Sequence, residues 1–262
     1  MNRLDKEMVI RGLADTRTRV QELIKSKAVK VNNQIVTKAS LQLTEQDKIE
    51  VVNNNILKYV SRGGFKLEKA LNVFNYSVEN KVVMDIGSST GGFTDCCLQN
   101  GAKKMICIDV GTNVMHSSLR NNHKVNLYEN TNIKDVGSEL YRDVELIVID
   151  VSFISLETII EQIQKQNILV DIICLIKPQF ECGKKIAAKY NGIILNKSIH
   201  NEILTNLLNK FNNMGFNVKA LDYSPIKGGD GNIEYLAYLT NTNTKSNTIN
   251  ITSVIKNAFN MK

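Results

Sequence analysis

The run Val82 Val83 Met84 Asp85 Ile86 is apolar but for its aspartate, and it stops at Gly87 Ser88 Ser89 Thr90 Gly91 Gly92 Phe93 Thr94. A short apolar run closed by Asp and Gly predicts a covered parallel strand, and Phe93 to Leu98 open a helix after it. Glycines belong in such a turn because a residue without a Cβ takes positive φ and lets a ligand come close to the backbone. The N–H groups of the helix start then face a polar group. Asp109 closes the next apolar run, Met105 to Ile108, 22 residues beyond Gly87. At that distance nucleotide-binding α/β folds place a carboxylate on a ribose hydroxyl. The spacing Gly-x-x-x-Gly-Gly-Phe is not the dinucleotide Gly-x-Gly-x-x-Gly. It disfavours NAD and favours an adenosyl cofactor without a pyrophosphate.

From Val60 the chain alternates strand and helix signals, with strands expected at 81–86, 104–109, 125–128, 144–149, 170–176, 216–221 and 234–239. That alternation predicts an α/β fold whose mainly parallel sheet is covered on both faces. Only Asp222 to Ile233 separate the last two strands, too few residues for a helical crossover, so an antiparallel pair is expected there. An antiparallel last strand is a habit of methyltransferases. From Thr240 the composition turns to Asn, Thr and Ser, which predicts a mobile polar tail over 241–262 with a short helix near Val254 to Phe259.

Residues 1–52 read as a separate small module. Leu4, Met8, Val9 and Leu13 recur at helical spacing, and a second helix carries Val20, Leu23 and Ile24 on one face. Ala28 to Val36 alternates as a hairpin turning at Asn32 Asn33, and Lys48 to Val51 supplies a closing strand. Residues 1–38 hold nine basic against four acidic side chains, within a net charge of +7 for the chain. A basic face of that kind suits phosphates. Residues 53–59, beginning Asn53 Asn54 Asn55, are expected to be a linker.

The five cysteines form no C-x-x-C pair and sit mostly in apolar surroundings, as reduced thiols of a cytoplasmic protein do; no structural zinc is expected. His116, His123 and His200 show no ligand spacing and read as surface or helix residues. The first residues lack the apolar core of a secretory signal, and no apolar run approaches the ~20 residues that span a bilayer.

In open α/β sheets, ligands bind beyond the carboxyl ends of the strands. Asp150 ends the run Glu145 to Ile149, Lys177 ends Ile172 to Ile176, and Glu234 begins the last strand, while Lys66 lies ahead of the first strand in Ser61 Arg62 Gly63 Gly64 Phe65 Lys66 Leu67. Lys, Asp, Lys and Glu in this order resemble the catalytic tetrad of FtsJ-type ribose 2′-O-methyltransferases. Asp15 to Asn32 is similar to the small RNA-binding domain first described in small-subunit ribosomal protein four, with Thr16 in place of a customary Ser, Ser26 in the place of a Gly and Asn33 at the turn Gly. With Asp150 Val151 Ser152 Phe153 Ile154 Ser155, Ile176 Lys177 Pro178 Gln179 Phe180 Glu181 and Ser224 Pro225 Ile226 to Glu234, residues 3 to about 240 resemble the TlyA, or haemolysin A, family of 16S/23S ribosomal RNA cytidine-2′-O-methyltransferases.

This resemblance implies a Rossmann-like class I methyltransferase domain with a seven-stranded sheet over 60–240, behind a small α+β RNA-binding domain. It implies S-adenosylmethionine as cofactor, held by Asp85, Gly87, Gly91, Gly92 and Phe93 at the methionine part, Asp109 at the ribose and Asn132 near the adenine. It implies ribosomal RNA as partner, contacted by Arg3, Arg17, Arg19, Lys25, Lys27, Lys30 and Arg62. A ribose hydroxyl is a very weak acid and needs a base or a strong electrostatic assist. A lysine serves as that base when desolvation or a neighbouring cation depresses its pKa. Lys177 beside Lys66 is the expected arrangement, with Asp150 orienting Lys177 and Glu234 positioning Lys66 or the ribose. No metal is required.

Two other readings compete. A base amino-methyltransferase would use Asp150 to Phe153 as a distant relative of an Asp-Pro-Pro-Phe loop, but the prolines are missing and both lysines would be idle. A non-catalytic RNA-binding assembly factor would not keep all four tetrad positions filled. The membrane-lytic effect in the family's older name is expected to be indirect, since no spanning segment is evident.

Overall fold

A computed structural model of the chain describes residues 2–242, 245 and 247–261. They divide into two compact units, residues 1–60 and 61–262.

The first unit runs β1 (Asn2–Arg3), α1 (Leu4–Ile10), α2 (Arg17–Lys25), β2 (Val29–Val31), β3 (Gln34–Ile35), β4 (Gln42–Leu43) and β5 (Ile49–Val51), then a 3-10 turn over Asn54–Leu57. Leu4 and Met8 of α1 and Val20, Leu23 and Ile24 of α2 share one core with Val29, Val31 and Leu43. The hairpin β2–β3 turns on Asn32 and Asn33, whose φ angles of 50° and 67° are both left-handed. A two-residue turn needs that geometry to match the twist of its strands, and asparagine tolerates it best after glycine. At the end of α2 the left-handed residue is Lys27, at φ 59°, while Ser26 at φ −83° is not. The position that wants glycine is therefore one residue later than the sequence pattern suggested. Its N–H donates to Ile24 O and that of Ala28 to Leu23 O, the two bonds that close a helix C-terminus.

The segment expected as a linker packs within this unit. Tyr59 is buried, and Arg19 turns inward to hold it: Nη2 donates to Ile56 O at 2.9 Å and to Tyr59 O at 2.6 Å, and Nη1 pairs with Glu22 at 2.7 Å. Arg19 is thereby removed from the RNA-facing set in which the sequence placed it. Asp5, fully buried, accepts from Arg3 and Arg17, and these guanidiniums hold its carboxyl down at about 2. Lys25 and Lys27 are exposed, and Lys30 is half-buried on β2.

The second unit begins with α3 (Gly63–Val73), β6 (Val82–Ile86), α4 (Gly92–Gln99), β7 (Lys104–Ile108), α5 (Ser117–Arg120), β8 (Val125–Tyr128) and β9 (Leu146–Ile149). It continues with α6 (Leu156–Gln164), β10 (Asp171–Ile176), α7 (Pro178–Glu181), α8 (Gly183–Lys189), α9 (Lys197–Asn213), β11 (Asn217–Tyr223), β12 (Tyr235–Thr240) and α10 (Ile251–Phe259). Seven strands form one sheet in the order β11-β12-β10-β9-β6-β7-β8. β12 runs antiparallel to both neighbours and every other pairing is parallel, so the fold is the Rossmann-like methyltransferase α/β sandwich. The strand ends lie within two residues of those expected.

Alternation along the strands builds the core. Met84, Ile86, Ile106, Ile108, Ile147, Ile149, Ile172 and Cys174 meet α6, α9 and α10 on one face. The expected mobile tail is a packed element instead: Ile255 and Ala258 of α10 are buried in this cluster beside α9 and β11. Residues 243, 244, 246 and 262 of that tail lie outside the described residues. His200 is a helix residue, as expected, but not a surface one. It lies on α9 but is fully buried, with Nε2 donating to Ile194 O at 2.9 Å, which leaves Nδ1 to accept from Tyr235 Oη at 2.6 Å.

Candidate active site

Chain order in the sheet reverses between β6 and β9, since β6 leads on to β7 on one side while β9 leads to β10 on the other. A crevice at such a reversal is where open α/β sheets bind ligands. Gly87 follows β6 at φ +80°, and a methyl group there would stand 2.6 Å from Asp150 O, so the two strand-end loops touch through backbone. Asp150 N–H donates to Ile86 O at 3.1 Å, tying the loops together. Gly91 at φ +93° caps α4. A methyl group on Gly92 would stand 2.9 Å from Gly64 N, so the starts of α3 and α4 abut through their glycines.

A cavity of about 290 Å3 opens in this crevice, lined by Gly87, Ser89, Asp109, Asn132 and the loop Asp150 to Ile154, among others. Asp109 accepts from Ser89 N–H and from Gly111 N–H, both at 2.7 Å, and these bonds aim its carboxylate. Asn132 accepts from Lys134 N–H at 3.2 Å. Asp85 lies fully buried beneath the loop, one oxygen accepting from Thr94 Oγ1 at 2.6 Å. Its Oδ1 and the Ser88 Oγ are buried with no hydrogen-bond partner among the described residues. Burial pushes the Asp85 carboxyl up to about 7, with the hydrogen bond from Thr94 opposing the rise. Unpaired polar atoms beneath a glycine loop, a ribose-height carboxylate and the apolar walls Val151, Ile133 and Ile154 fit an adenosyl cofactor. Gly91, Gly92 and Phe93 do not line the cavity; they shape the start of α4, where the buried Phe93 ring lies against Gly63.

The four charged residues meet at the same edge of the sheet. Lys177 Nζ stands 2.6 Å from Asp150 Oδ1 and donates to Ser152 Oγ at 3.0 Å. Lys66 Nζ, reaching in from α3, stands 2.6 Å from Glu234 Oε2. Ile176 pairs with Tyr235 across β10 and β12, so Lys177 and Glu234 sit one register step further, on neighbouring strands. Arg62, ahead of α3, is exposed.

Several neighbours escaped the sequence reading. Ser152, Thr94 and Ser88 hold or flank the charged groups, yet a lone hydroxyl residue carries no spacing signal. Phe153 is 91% exposed at φ 65° and its ring lies 4.9 Å from that of Phe180, a strained posture that no sequence pattern announces.

The model of the FtsJ-like methyltransferase family matches residues 59–241, and that of the S4 domain matches residues 2–49. Hemolysin A of Brachyspira hyodysenteriae is 45% identical over 239 residues, covering 90% of this chain and 98% of that protein. The 16S/23S rRNA (cytidine-2′-O)-methyltransferase TlyA of Mycobacterium tuberculosis is 33% identical over 239 residues, covering 90% and 89%. The solved structure of a protein provisionally named a hemolysin, from Streptococcus thermophilus, superposes with a TM-score of 0.77 at 38% identity, covering 99% of this chain and 96% of that one. With the glycine loop, the two lysine–carboxylate pairs and both domain matches in place over nearly its whole length, the chain belongs to the TlyA family of FtsJ-like methyltransferases.

Proposed function

We propose that this protein transfers a methyl group from S-adenosylmethionine to the 2′-hydroxyl of a cytidine ribose in ribosomal RNA. The observation that carries the reading is the convergence of Lys66–Glu234 and Lys177–Asp150 at one sheet edge, with Asp150 shared by the cofactor cavity. The names of the relatives support the substrate, and a protein acting on ribosomal RNA would work in the cytoplasm.

Asp85, Gly87, Asp109 and Asn132 are the residues that would hold the cofactor, with Gly91, Gly92 and Phe93 shaping the helix start behind them. When bound, S-adenosylmethionine supplies an electrophilic methyl group on a sulfonium. The neutral amine of Lys177, oriented by Asp150 and Ser152, would take the proton from the ribose hydroxyl while that oxygen acquires the methyl group and the methyl carbon–sulfur bond breaks. Lys66, anchored by Glu234, faces the charge that develops on the oxygen. The remaining advantage comes from alignment of hydroxyl, carbon and sulfur.

Residues 1–52 serve as the RNA-binding module and 60–240 as the methyltransferase. Exposed Arg17, Lys25 and Lys27, with Arg3, Lys30 and Arg62, would grip phosphates, and the target nucleotide would be splayed out of its helix. No helix among the described residues is long and apolar enough to cross a membrane.

The test is transfer of label from S-adenosylmethionine to 16S and 23S ribosomal RNA lacking the modification, comparing wild type with Lys177→Ala. Label that maps to a cytidine ribose and vanishes in the variant supports the proposal. Label on a base, or tight RNA binding without label, overturns it.

A further inference from the structure

The loop Asp150 to Ser155 and the segment Lys177 to Glu181, whose last four residues are α7, leave neighbouring parallel strands, β9 and β10, and they are joined rung by rung. The first rung is the Lys177–Asp150 pair at 2.6 Å, with Lys177 also on Ser152 Oγ at 3.0 Å. The second is the Phe153–Phe180 ring contact at 4.9 Å. The third lies furthest from the sheet: Ser155 Oγ donates to Glu181 Oε2 at 2.6 Å, and Leu156 N–H donates to Glu181 Oε1 at 2.9 Å. Both carboxylate oxygens of Glu181 are thus committed to the other loop. Ser155 in turn accepts from Glu157 N–H and caps α6, so the third rung is anchored to a helix whose Ile159, Ile160 and Ile163 are buried in the core.

We infer that Glu181 is a positioning residue for methyl transfer, closing the bracket that holds Lys177 against Asp150 and Ser152. This rests on the reading of Lys177 as the group that takes the hydroxyl proton. Two observations favour a positioning role over mere filling of space. Glu181 also lines a second cavity of about 380 Å3, together with Ile186 and Leu207, so packing alone does not fix its carboxylate and the hydrogen bonds must. Within the bracket, Phe153 is kept at φ 65°, a conformation a bulky side chain avoids unless its surroundings impose it. The loop is therefore under constraint, and removing its outer tie lets it relax. Lys177 would lose register with Ser152 and Asp150, and misplacement by about 1 Å can cost on the order of 100-fold in rate.

The experiment measures kcat for methyl transfer to ribosomal RNA at saturating cofactor and RNA, with the unfolding midpoint, for wild type, Glu181→Ala, Glu181→Gln, Ser155→Ala and the Glu181→Ala/Ser155→Ala double variant. Glutamine can accept from Leu156 N–H and donate to Ser155 Oγ, so it keeps the bracket without the charge. The expected result is a fall in kcat of about tenfold or more in Glu181→Ala, recovery to within about threefold of wild type in Glu181→Gln, and a double variant no slower than the slower single one. Ser155→Ala removes the same tie from the other side and keeps the test alive if Glu181→Ala does not fold. An unchanged kcat in Glu181→Ala, a glutamine variant as slow as alanine, or losses that multiply in the double variant would overturn the inference while wild type remains active. A wild type that transfers no methyl to RNA overturns the proposed function, and this inference with it.

Discussion

Lys66 Nζ and Glu234 Oε2 form an ion pair at 2.6 Å, with side chains only 11% and 3% exposed. Taking two charges out of water costs more than a surface pair returns, so a buried pair is weak evidence for a stabilising role. Breaking it from one side is nonetheless severe, because the remaining charge is left buried alone. Glu234→Ala should lose about 3–5 kcal/mol of unfolding free energy in urea. Replacing both partners by apolar residues, Lys66→Met with Glu234→Leu, should leave stability equal to wild type or higher, yet abolish methyl transfer. A double variant that is stable and still active would show that the pair has no part in the reaction.

Asp85 gives the second unit an unusual pH dependence. Burial first, and then the nearby charge of Asp150, push its carboxyl up to about 7 in the folded state, against an ordinary carboxylate value near 3.8. The folded protein therefore binds this proton more tightly than the unfolded chain does. Stability from this group is present below about pH 4, declines as pH rises towards about 7 and is level above that, for a total on the order of 4 kcal/mol. Asp5 acts in the opposite sense and in a lower window, because Arg3 and Arg17 hold it at about 2 and its contribution is lost as pH falls through that value. Urea midpoints followed from about pH 5 to about pH 8 should decline in wild type relative to Asp85→Asn, which keeps an acceptor for Thr94 without the charge. Parallel curves for the two proteins would refute the buried-charge account.

The basic residues of the first unit separate into two kinds by where their charge points. Arg19 donates to the carbonyls of Ile56 and Tyr59, and Arg19→Ala removes that donor at a cost of about 1–3 kcal/mol. Its main effect should be a lower unfolding midpoint of this unit. Lys25 is exposed, so Lys25→Ala should change stability by less than about 0.5 kcal/mol. If Lys25 meets a phosphate, the variant should reduce the slope of log affinity for RNA against log salt by about 1. Fluorescence anisotropy across a salt series reads that slope, and an unchanged slope would take Lys25 off the RNA surface.

What the sequence made legible was whatever is written in periodicity or backbone chemistry. β9 and β10 are runs of Ile, Leu, Val and Cys bounded by polar residues, and Asn32 Asn33 is a turn because asparagine accepts positive φ. β1 and β4, at two residues each, are too short to show a period. α10 was legible as a short helix near Val254 to Phe259, but its start at Ile251 and its packing into the core were hidden by its polar approach. At the site, the charged residues at strand ends were readable because the fold class says where to look. Their partners were not: Thr94 under Asp85, Ser152 on Lys177 and Ser155 on Glu181 depend on rotamers and loop approach across distances in the chain that no local pattern encodes. Arg19 shows the limit most plainly, since its neighbours in sequence are those of an exposed basic helix and only the turn beneath it draws the guanidinium inward.

Gly87 tests whether the contact of the two strand-end loops matters beyond backbone strain. Gly87 and Gly215 both lie at positive φ, +80° and +86°, so alanine is strained at either position, by about 1–2 kcal/mol. Gly215 has open space where a Cβ would go, whereas at Gly87 the methyl would stand 2.6 Å from Asp150 O and 3.0 Å from Val151 Cγ1. The obstacle at Gly87 is backbone, which cannot swing aside as a side chain does, and it belongs to the residue that orients Lys177. Gly215→Ala should therefore show the strain alone, with a modest loss of stability and normal kcat. Gly87→Ala should lose more stability and, by pushing Asp150 away from β6, lose methyl transfer out of proportion to that loss. Stopped assays at a temperature well below both unfolding midpoints separate the two effects, and equal rates for the two variants would mean that the loop carrying Asp150 yields without consequence for Lys177.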